Sequence, residues 1–333
     1  MKAIDLFAGA GGLSLGLKNA GWDVVAAVEV DKYAVATHHQ NFPNTKGLRC
    51  DVRDVDWSKY QDIDLVAGGP PCQPFSVSGK QLGQQDMRDM VPEFVRVVSE
   101  VLPRAFVMEN VKGLASAKFK DYLDKAVGVL KALGYNVNHA VLNSADHGVP
   151  QFRERLFVVG IRDGEFKFPK PTHGPGYKHP WVTVADALAY APYDTPNAAK
   201  VVYCKNPILR KSPNAGMLVN GKGRPLNLNM PSMTIPASAG GNRTHIIDRD
   251  NVLFEYHASL MKGGKARAGL VDGCRRLTLR ECARIQGFPD SFDFIGPKSK
   301  QYSQVGNAVP PLLAEAVCRS VKKQVEKQLL QVA

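Results

Sequence analysis

The sequence predicts an α/β protein in which a mostly parallel sheet is covered by helices on both faces and followed by a smaller, loop-rich domain. Three observations carry this. Short apolar runs alternate with helix-length segments over the first 160 residues. A glycine-rich turn, Ala8–Gly12, joins the first apolar run to the first helical segment. Beyond Ile161 the texture changes: residues 161–275 carry half of the chain's 22 prolines and 12 of its 30 glycines.

Each element follows in order. Lys2–Phe7 reads as a strand and Leu13–Ala20 as the helix after the glycine turn. Trp22–Val30 is strand-like, and Tyr33–Asn41 is helical. Further strands are expected at Gly47–Asp51, Ile63–Ala67, Ala105–Met108, Val137–Leu142 and Leu156–Ile161, separated by helix-length segments such as Phe119–Leu133. In the loop-rich part only Val182–Tyr190 is cleanly periodic, and regular helix returns at Arg280–Gln286 and Pro310–Leu330. Strands that alternate with helices place ligands at the carboxyl ends of the strands.

Composition narrows the function. The 333 residues are 44% apolar and 22% charged, and no run approaches the 18 apolar residues of a membrane span. Met1-Lys2-Ala3-Ile4-Asp5 passes straight into a strand-like segment with no leader pattern, which predicts a cytoplasmic protein. Six scattered cysteines (50, 72, 204, 274, 282 and 318) form no Cys-x-x-Cys pair, and the eight histidines are dispersed, so neither a metal site nor a disulfide framework is expected. The net charge is +12, and residues 161–275 hold 16 Lys/Arg against 8 Asp/Glu. Such a segment can bind a polyanion or simply present a solvated surface.

The motifs concentrate at the expected strand ends. In "DLFAGAGGLSLG" (Asp5–Gly16) Gly9, Gly11 and Gly12 allow close backbone approach of a ligand at a helix N-terminus, or serve only a tight turn. Ser14 stands where G-x-G-x-x-G would have its third glycine, and no P-loop Gly-Lys-Ser/Thr follows. Glu29 ends the second strand, where a Rossmann-like fold offers a carboxylate to ribose hydroxyls, and Asp51 ends the third, where a carboxylate suits an exocyclic amine. Each alone can be a strand-end cap. Together with the glycine loop they describe a site for an adenosine cofactor without a strong phosphate cradle, which fits S-adenosyl-L-methionine better than NAD.

"GGPPCQPFS" follows the fourth strand and mounts Cys72 between prolines 70, 71 and 74. A lone cysteine is usually an inert buried thiol. Fixed φ angles on both sides argue for a held loop and for covalent catalysis. "VMENVKG" puts Glu109 at the end of the fifth strand, placed to act as an acid toward a base edge. "QFRERLF" sets Arg153 and Arg155 two apart, on one side of a strand, where paired guanidinium groups suit phosphate or a carbonyl oxygen, or form a surface salt bridge.

The ordered set "DLFAGAGG", "GGPPCQPFS", "MENVKG", "QFRERLF", "RLTLRECARIQGFPDSF" and "QVGNAVPP" resembles the DNA (cytosine-5) methyltransferases of bacterial restriction-modification systems, nearly continuously over residues 1–160 and 276–320. The resemblance implies a Rossmann-like catalytic domain over 1–160 completed by 300–333, and a target-recognition domain over 161–299. It implies Cys72 as the nucleophile toward C6 of a flipped cytosine, Glu109 at N3, Arg155 at O2 and Arg153 in support. The cofactor would be surrounded by Phe7, Gly9, Gly11, Gly12, Glu29, Val30, Asp51, Val52, Gly69, Pro71 and Asn307. DNA contacts are implied for Gln73, Ser76, Ser78 and Arg243, with Ser78, Gly79 and Gly83 in a mobile loop that closes over the target. Double-stranded DNA, a restriction endonuclease counterpart and no membrane or metal complete the expectation. The rivals are an RNA (tRNA) cytosine-5 methyltransferase on the same catalytic domain and a catalytically silent nucleic-acid-binding protein.

Overall fold

Strand β1 (Lys2–Leu6) is buried from its second residue onward and is the third strand of a seven-stranded sheet, flanked on both sides. The computed structural model describes residues 1–71, 89–162, 164–189 and 195–332. After β1 the chain runs through α1 (Gly12–Asn19), β2 (Asp23–Val28), α2 (Lys32–Asn41), β3 (Lys46–Leu48), β4 (Leu65–Gly68), α3 (Val91–Val101), β5 (Ala105–Val111), α4 (Lys120–Ala132), β6 (Asn136–Asn143) and β7 (Glu154–Ile161). The strand order is β3-β2-β1-β4-β5-β7-β6. Strands β1 to β5 pair in parallel, so the crossover direction reverses between β1 and β4 and opens a crevice at their carboxyl ends.

The last two strands depart from the parallel pattern. β7 pairs antiparallel with both β5 and β6. Between β6 and β7 lie ten residues, 144–153, whose regular structure is one 3-10 turn, Ser144–His147, short of a parallel crossover of a dozen or more residues. The alternation of apolar runs predicts both strands but not their direction.

Period-two alternation divides the core between the two faces of the sheet. Ile4, Leu6, Val66, Phe106 and Met108 face α3 and α4 through Phe94, Val98, Leu123 and Leu130. Ala3, Leu65, Ala67, Ala105 and Val107 face the opposite way with Leu13 and Leu17 of α1.

The loop-rich part contains α5 (Val184–Leu188), the hairpin β8 (Tyr203–Ile208) and β9 (Met217–Val219), β10 (Ile246–Asp248), α6 (Val252–Met261), β11 (Cys274–Arg276), α7 (Leu279–Gln286) and α8 (Lys298–Asn307). Its core joins Val201, Leu218, Ile246, Leu253, Tyr256 and Leu260. With little regular ladder available, buried Arg276 satisfies loop carbonyls instead, donating to Thr244 O at 2.9 Å and Asn220 O at 2.8 Å. Gln151 acts similarly, donating to Gln286 Oε1 at 2.6 Å and accepting from the Ile235 amide at 2.9 Å. Helix α9 (Pro311–Val332) then lays Leu313, Val317 and Val321 into the core face of α1.

Two compact units result: Met1–His147 with Arg153–Thr172 and Ala308–Ala333, and Gly148–Phe152 with His173–Asn307. These limits differ from the sequence-expected breaks at 160/161 and 299/300. Phe166 and Phe168 extend the first unit because they pack on the α1–α9 core. "QFRERLF" is divided, with Gln151 and Phe152 in the second unit and Arg153 onward in the first.

Candidate active site

The loop after β1 begins with strain. Phe7 has φ 56°, in the left-handed region that a bulky residue rarely occupies. The amide of Gly9 then donates to Glu29 Oε2 at 2.9 Å, and Glu29 Oε1 accepts from the amides of Val30 (2.7 Å) and Asp31 (2.8 Å). Two donors fill Oε1, while Oε2 keeps a lone pair for one further hydroxyl. Glu29 is thus both the strand-end cap and a carboxylate with one place open. Val30 beside it is 61% exposed and offers apolar surface.

The three glycines do different things. Among the described residues a Cβ on Gly9 would meet nothing within 4 Å, which leaves space for a ligand beside the backbone there. A Cβ on Gly11 would lie 2.5 Å from the Phe42 ring, and one on Gly12 would lie 2.4 Å from Val309 O. In the side-chain direction, then, space is open at Gly9, while at Gly11 and Gly12 the missing side chain lets protein pack against the loop.

Asp51 is committed to a neighbour. Its Oδ1 accepts from Arg53 N and Nε, both at 2.9 Å, and its Oδ2 from Arg53 Nη2 at 2.7 Å. The Arg53 hydrogen bonds hold its carboxyl below the usual range. Val52 turns its side chain into the core, 2% exposed, so only its backbone can face a ligand.

At the end of β4, a Cβ on Gly69 would sit 3.2 Å from Glu109 Oε2, and Asn110 Nδ2 donates to Pro70 O at 3.2 Å. Asn110, which the sequence does not single out, stands inside the "MENVKG" motif. It fixes the carbonyl two residues before Cys72. Cys72 itself, with Gln73, Ser76, Ser78, Gly79 and Gly83, lies outside the described residues.

Glu109 and Arg155 meet because their strands are antiparallel. Glu109 is opposite Phe157 in the ladder, which makes Arg155 its diagonal neighbour. Arg155 Nε lies 3.0 Å from Glu109 Oε1, and both side chains are largely buried. Burial pushes the Glu109 carboxyl above its ordinary value, opposed by the charges of Arg155 and then Arg153. Burial likewise disfavours charge on both arginines. A guanidinium keeps its proton in a protein, so the Glu109 carboxyl is drawn toward its neutral form by burial and toward its charged form by the two arginines. Arg153 is pinned further: its amide donates to Asn143 Oδ1 at 3.2 Å and its Nη2 to Ala308 O at 3.3 Å.

Two expected site residues belong to the second unit. Asn307 ends α8, its amide nitrogen 3.4 Å from Ser303 Oγ, and Arg243 ends a 3-10 turn with its side chain exposed. Among the described residues no cluster of His, Cys, Asp or Glu could hold a metal ion, and no helix is long and apolar enough to cross a membrane.

Comparison with known proteins agrees with this geometry. The profile of the family described as C-5 cytosine-specific DNA methylase matches residues 1–323. The chain is 35% identical over 329 residues to the Type II methyltransferase M.NgoMIV of Neisseria gonorrhoeae, covering 98% of each. It is 37% identical over 334 residues to the Type II methyltransferase M.PspPI of Psychrobacter sp., covering 96% of this chain and 78% of that protein. Among solved structures the Dnmt2 methyltransferase of S. pombe superposes with a TM-score of 0.69 at 17% identity, over 98% of this chain and 99% of that one, a likeness of fold.

Proposed function

Because the chain belongs to the family of C-5 cytosine-specific DNA methylases, we propose that it methylates C5 of a cytosine in a short specific duplex sequence, with S-adenosyl-L-methionine as donor and Cys72 as nucleophile. The observation that carries the reading is the buried Glu109–Arg155 pair at 3.0 Å, beside the Pro70 carbonyl that Asn110 holds just ahead of Cys72. The family description names DNA, which disfavours the RNA rival. The paired Glu109 and Arg155 disfavour a silent binding protein.

The residues present fit the cofactor. Bare backbone at Gly9, the open lone pair of Glu29 and the exposed side chain of Val30 support an adenosine-bearing ligand at the end of β1 and β2. Phe7, Gly69, Pro71, the Val52 backbone and Asn307 complete the proposed set; Asp51 joins it only by giving up part of its Arg53 pairing. When bound, S-adenosyl-L-methionine supplies an electrophilic methyl group.

The protein's own part is to make C5 of cytosine nucleophilic. The Cys72 thiolate adds to C6. Glu109, its proton affinity raised by burial, donates to N3 and takes up the electron demand of the ring. Arg155 serves O2, and Arg153 supports it. Once C5 carries the methyl group, its proton passes to solvent, the N3 proton returns to Glu109, and the Cys72 sulfur leaves C6 as thiolate, which restores the aromatic base. Because the target atoms lie inside the duplex, the base must first leave the stack, at a cost of a few kcal/mol. The basic surface of the second unit offsets this through phosphate contacts, and Arg243 with Gln73, Ser76 and Ser78 is assigned to DNA.

The relatives' role as Type II methyltransferases supports a restriction endonuclease counterpart and a place in the cytoplasm with the cell's DNA. Bisulfite sequencing of DNA from cells expressing the chain tests the whole reading: methylated cytosines in one sequence context are expected. A Cys72→Ser chain is expected to bind cofactor and leave that context unmethylated. Normal methylation by Cys72→Ser would overturn the assignment.

A further inference from the structure

Under the glycine loop lies a chain of three buried polar side chains that the proposed chemistry does not use. Ser14 Oγ is 2.5 Å from Asp5 Oδ2 and 2.9 Å from His38 Nε2. All three residues are buried, Asp5 and Ser14 completely. Asp5 Oδ1 and His38 Nδ1 have no hydrogen-bond partner among the described residues. The chain joins the end of β1, the first turn of α1 and the last turn of α2. Its histidine also forms the floor of the loop: a Cβ on Gly11 would lie 3.1 Å from His38 Cδ2, and the ring stacks on Phe42 at 4.5 Å.

A serine hydroxyl has one proton to give, so the chain has two consistent arrangements. In the first, Ser14 donates to an ionised Asp5 and His38 Nε2–H donates to Ser14. A carboxylate charge is then buried with one oxygen unserved. In the second, Asp5 carries a proton and donates to Ser14, and Ser14 donates to bare Nε2. The His38 proton then sits on Nδ1 without a partner. One arrangement costs a buried charge and the other a buried unpaired N–H, so neither is strongly preferred. Exchange between them moves the proton on the imidazole that supports Gly11.

We propose that Asp5, Ser14 and His38 are positioning residues forming a proton-sharing chain that sets the glycine loop, so that cofactor binding at this loop is linked to one proton. This rests on the reading of the loop as the S-adenosyl-L-methionine site. The groups facing the chain support it. Burial acts most strongly on the Asp5 carboxyl and raises it, the hydrogen bonds from Ser14 oppose this, and Glu29, which caps the loop, adds a smaller upward push, so that the carboxyl lies at about 7. Burial, then the neighbouring His39, holds the His38 imidazole down at about 4, so it stays neutral. The Cys318 thiol on α9 is pushed far up by burial and Asp5 and adds no charge. A ligand with net positive charge near Glu29 relieves its pressure on Asp5, favours the ionised arrangement and releases a proton.

Calorimetric titration of the full chain with S-adenosyl-L-methionine, in buffers of different ionisation heat, reads that proton. Release is expected near pH 7, with affinity tightening about fivefold between pH 6 and 8, as when binding lowers a linked pKa of about 7 by about one. S-adenosyl-L-homocysteine, which lacks the sulfonium charge, should release less. Asp5→Asn keeps the donor and acceptor of the neutral arrangement and should bind without pH dependence in this range. Absence of proton exchange in the natural chain, or an unchanged pH profile in Asp5→Asn, overturns the proposal. Should Asp5→Asn not fold, carboxyl carbon-13 titration of the natural chain decides: an Asp5 signal near 7 supports the chain, and one in the ordinary range near 4 overturns it. If neither ligand binds at any pH, the cofactor reading fails by itself, and the Asp5 titration still judges the chain.

Discussion

Glu109 has to satisfy two opposed conditions. Burial favours its neutral form, and Arg155 at 3.0 Å favours its charged form. In the proposed reaction a carboxyl held between these gives a proton to N3 and recovers it. Replacing it with glutamine keeps an acceptor for Arg155 but removes the transferable proton. Single-turnover methylation by Glu109→Gln is therefore expected to slow by about 10²–10⁴-fold, with cofactor affinity unchanged. Asp5 gives a prediction about stability. Its carboxyl moves from 3.8 to about 7 on folding, so the folded state holds its proton more tightly. The sign follows: no cost below pH 3.8, then a growing cost as pH rises toward 7 and a full cost above it. Asp5→Asn should melt higher than the natural chain at pH 8, by up to roughly 4 kcal/mol of stability, with the gain shrinking at pH 5. The residues proposed to carry the chemistry stand out in the sequence because their types are conspicuous in their motifs. Asp5, Ser14 and His38 do not, because each is ordinary in sequence and only the fold brings His38 under the glycine loop.

At the scale of elements, glycine reads differently according to what surrounds it. In α1 a Cβ on Gly16 would lie 2.4 Å from Ala314 Cβ, so α9 would have to move. In α4 a Cβ on Gly128 would meet nothing. Gly16→Ala should destabilise the chain by about 1–3 kcal/mol, and Gly128→Ala should stabilise it by about 0.5–1 kcal/mol; chemical denaturation compares the two. Sequence alone cannot separate them, since both stand inside helical segments. The order of strands and helices was legible from periodicity. Helix α3 was legible in principle, with Val91, Phe94, Val98 and Val101 at helical spacing. The antiparallel run of β6 and β7 was not, because direction depends on how far a connection can reach. That reversal matters for the site, since it makes Arg155 the diagonal partner of Glu109.

At the scale of the molecule, the first unit is assembled from three stretches of chain, and the third carries α9. Leu313, Ala314, Val317, Cys318, Val321 and Val325 of this helix are buried against the α1 side of the sheet, and Trp22 Nε1 donates to Cys318 O at 3.0 Å. The order of synthesis then acquires a meaning. When a ribosome has released the glycine loop, Glu109 and Arg155, the α1 face of their sheet still lacks the cover that α9 supplies, and it goes without while the whole second unit is translated. Nascent chains stalled at residue 300 should be cut readily by protease within 1–160, and chains extended through 332 on a tether should resist. Methylation would then begin only after α9 has emerged, so a prematurely terminated message yields no modifying activity.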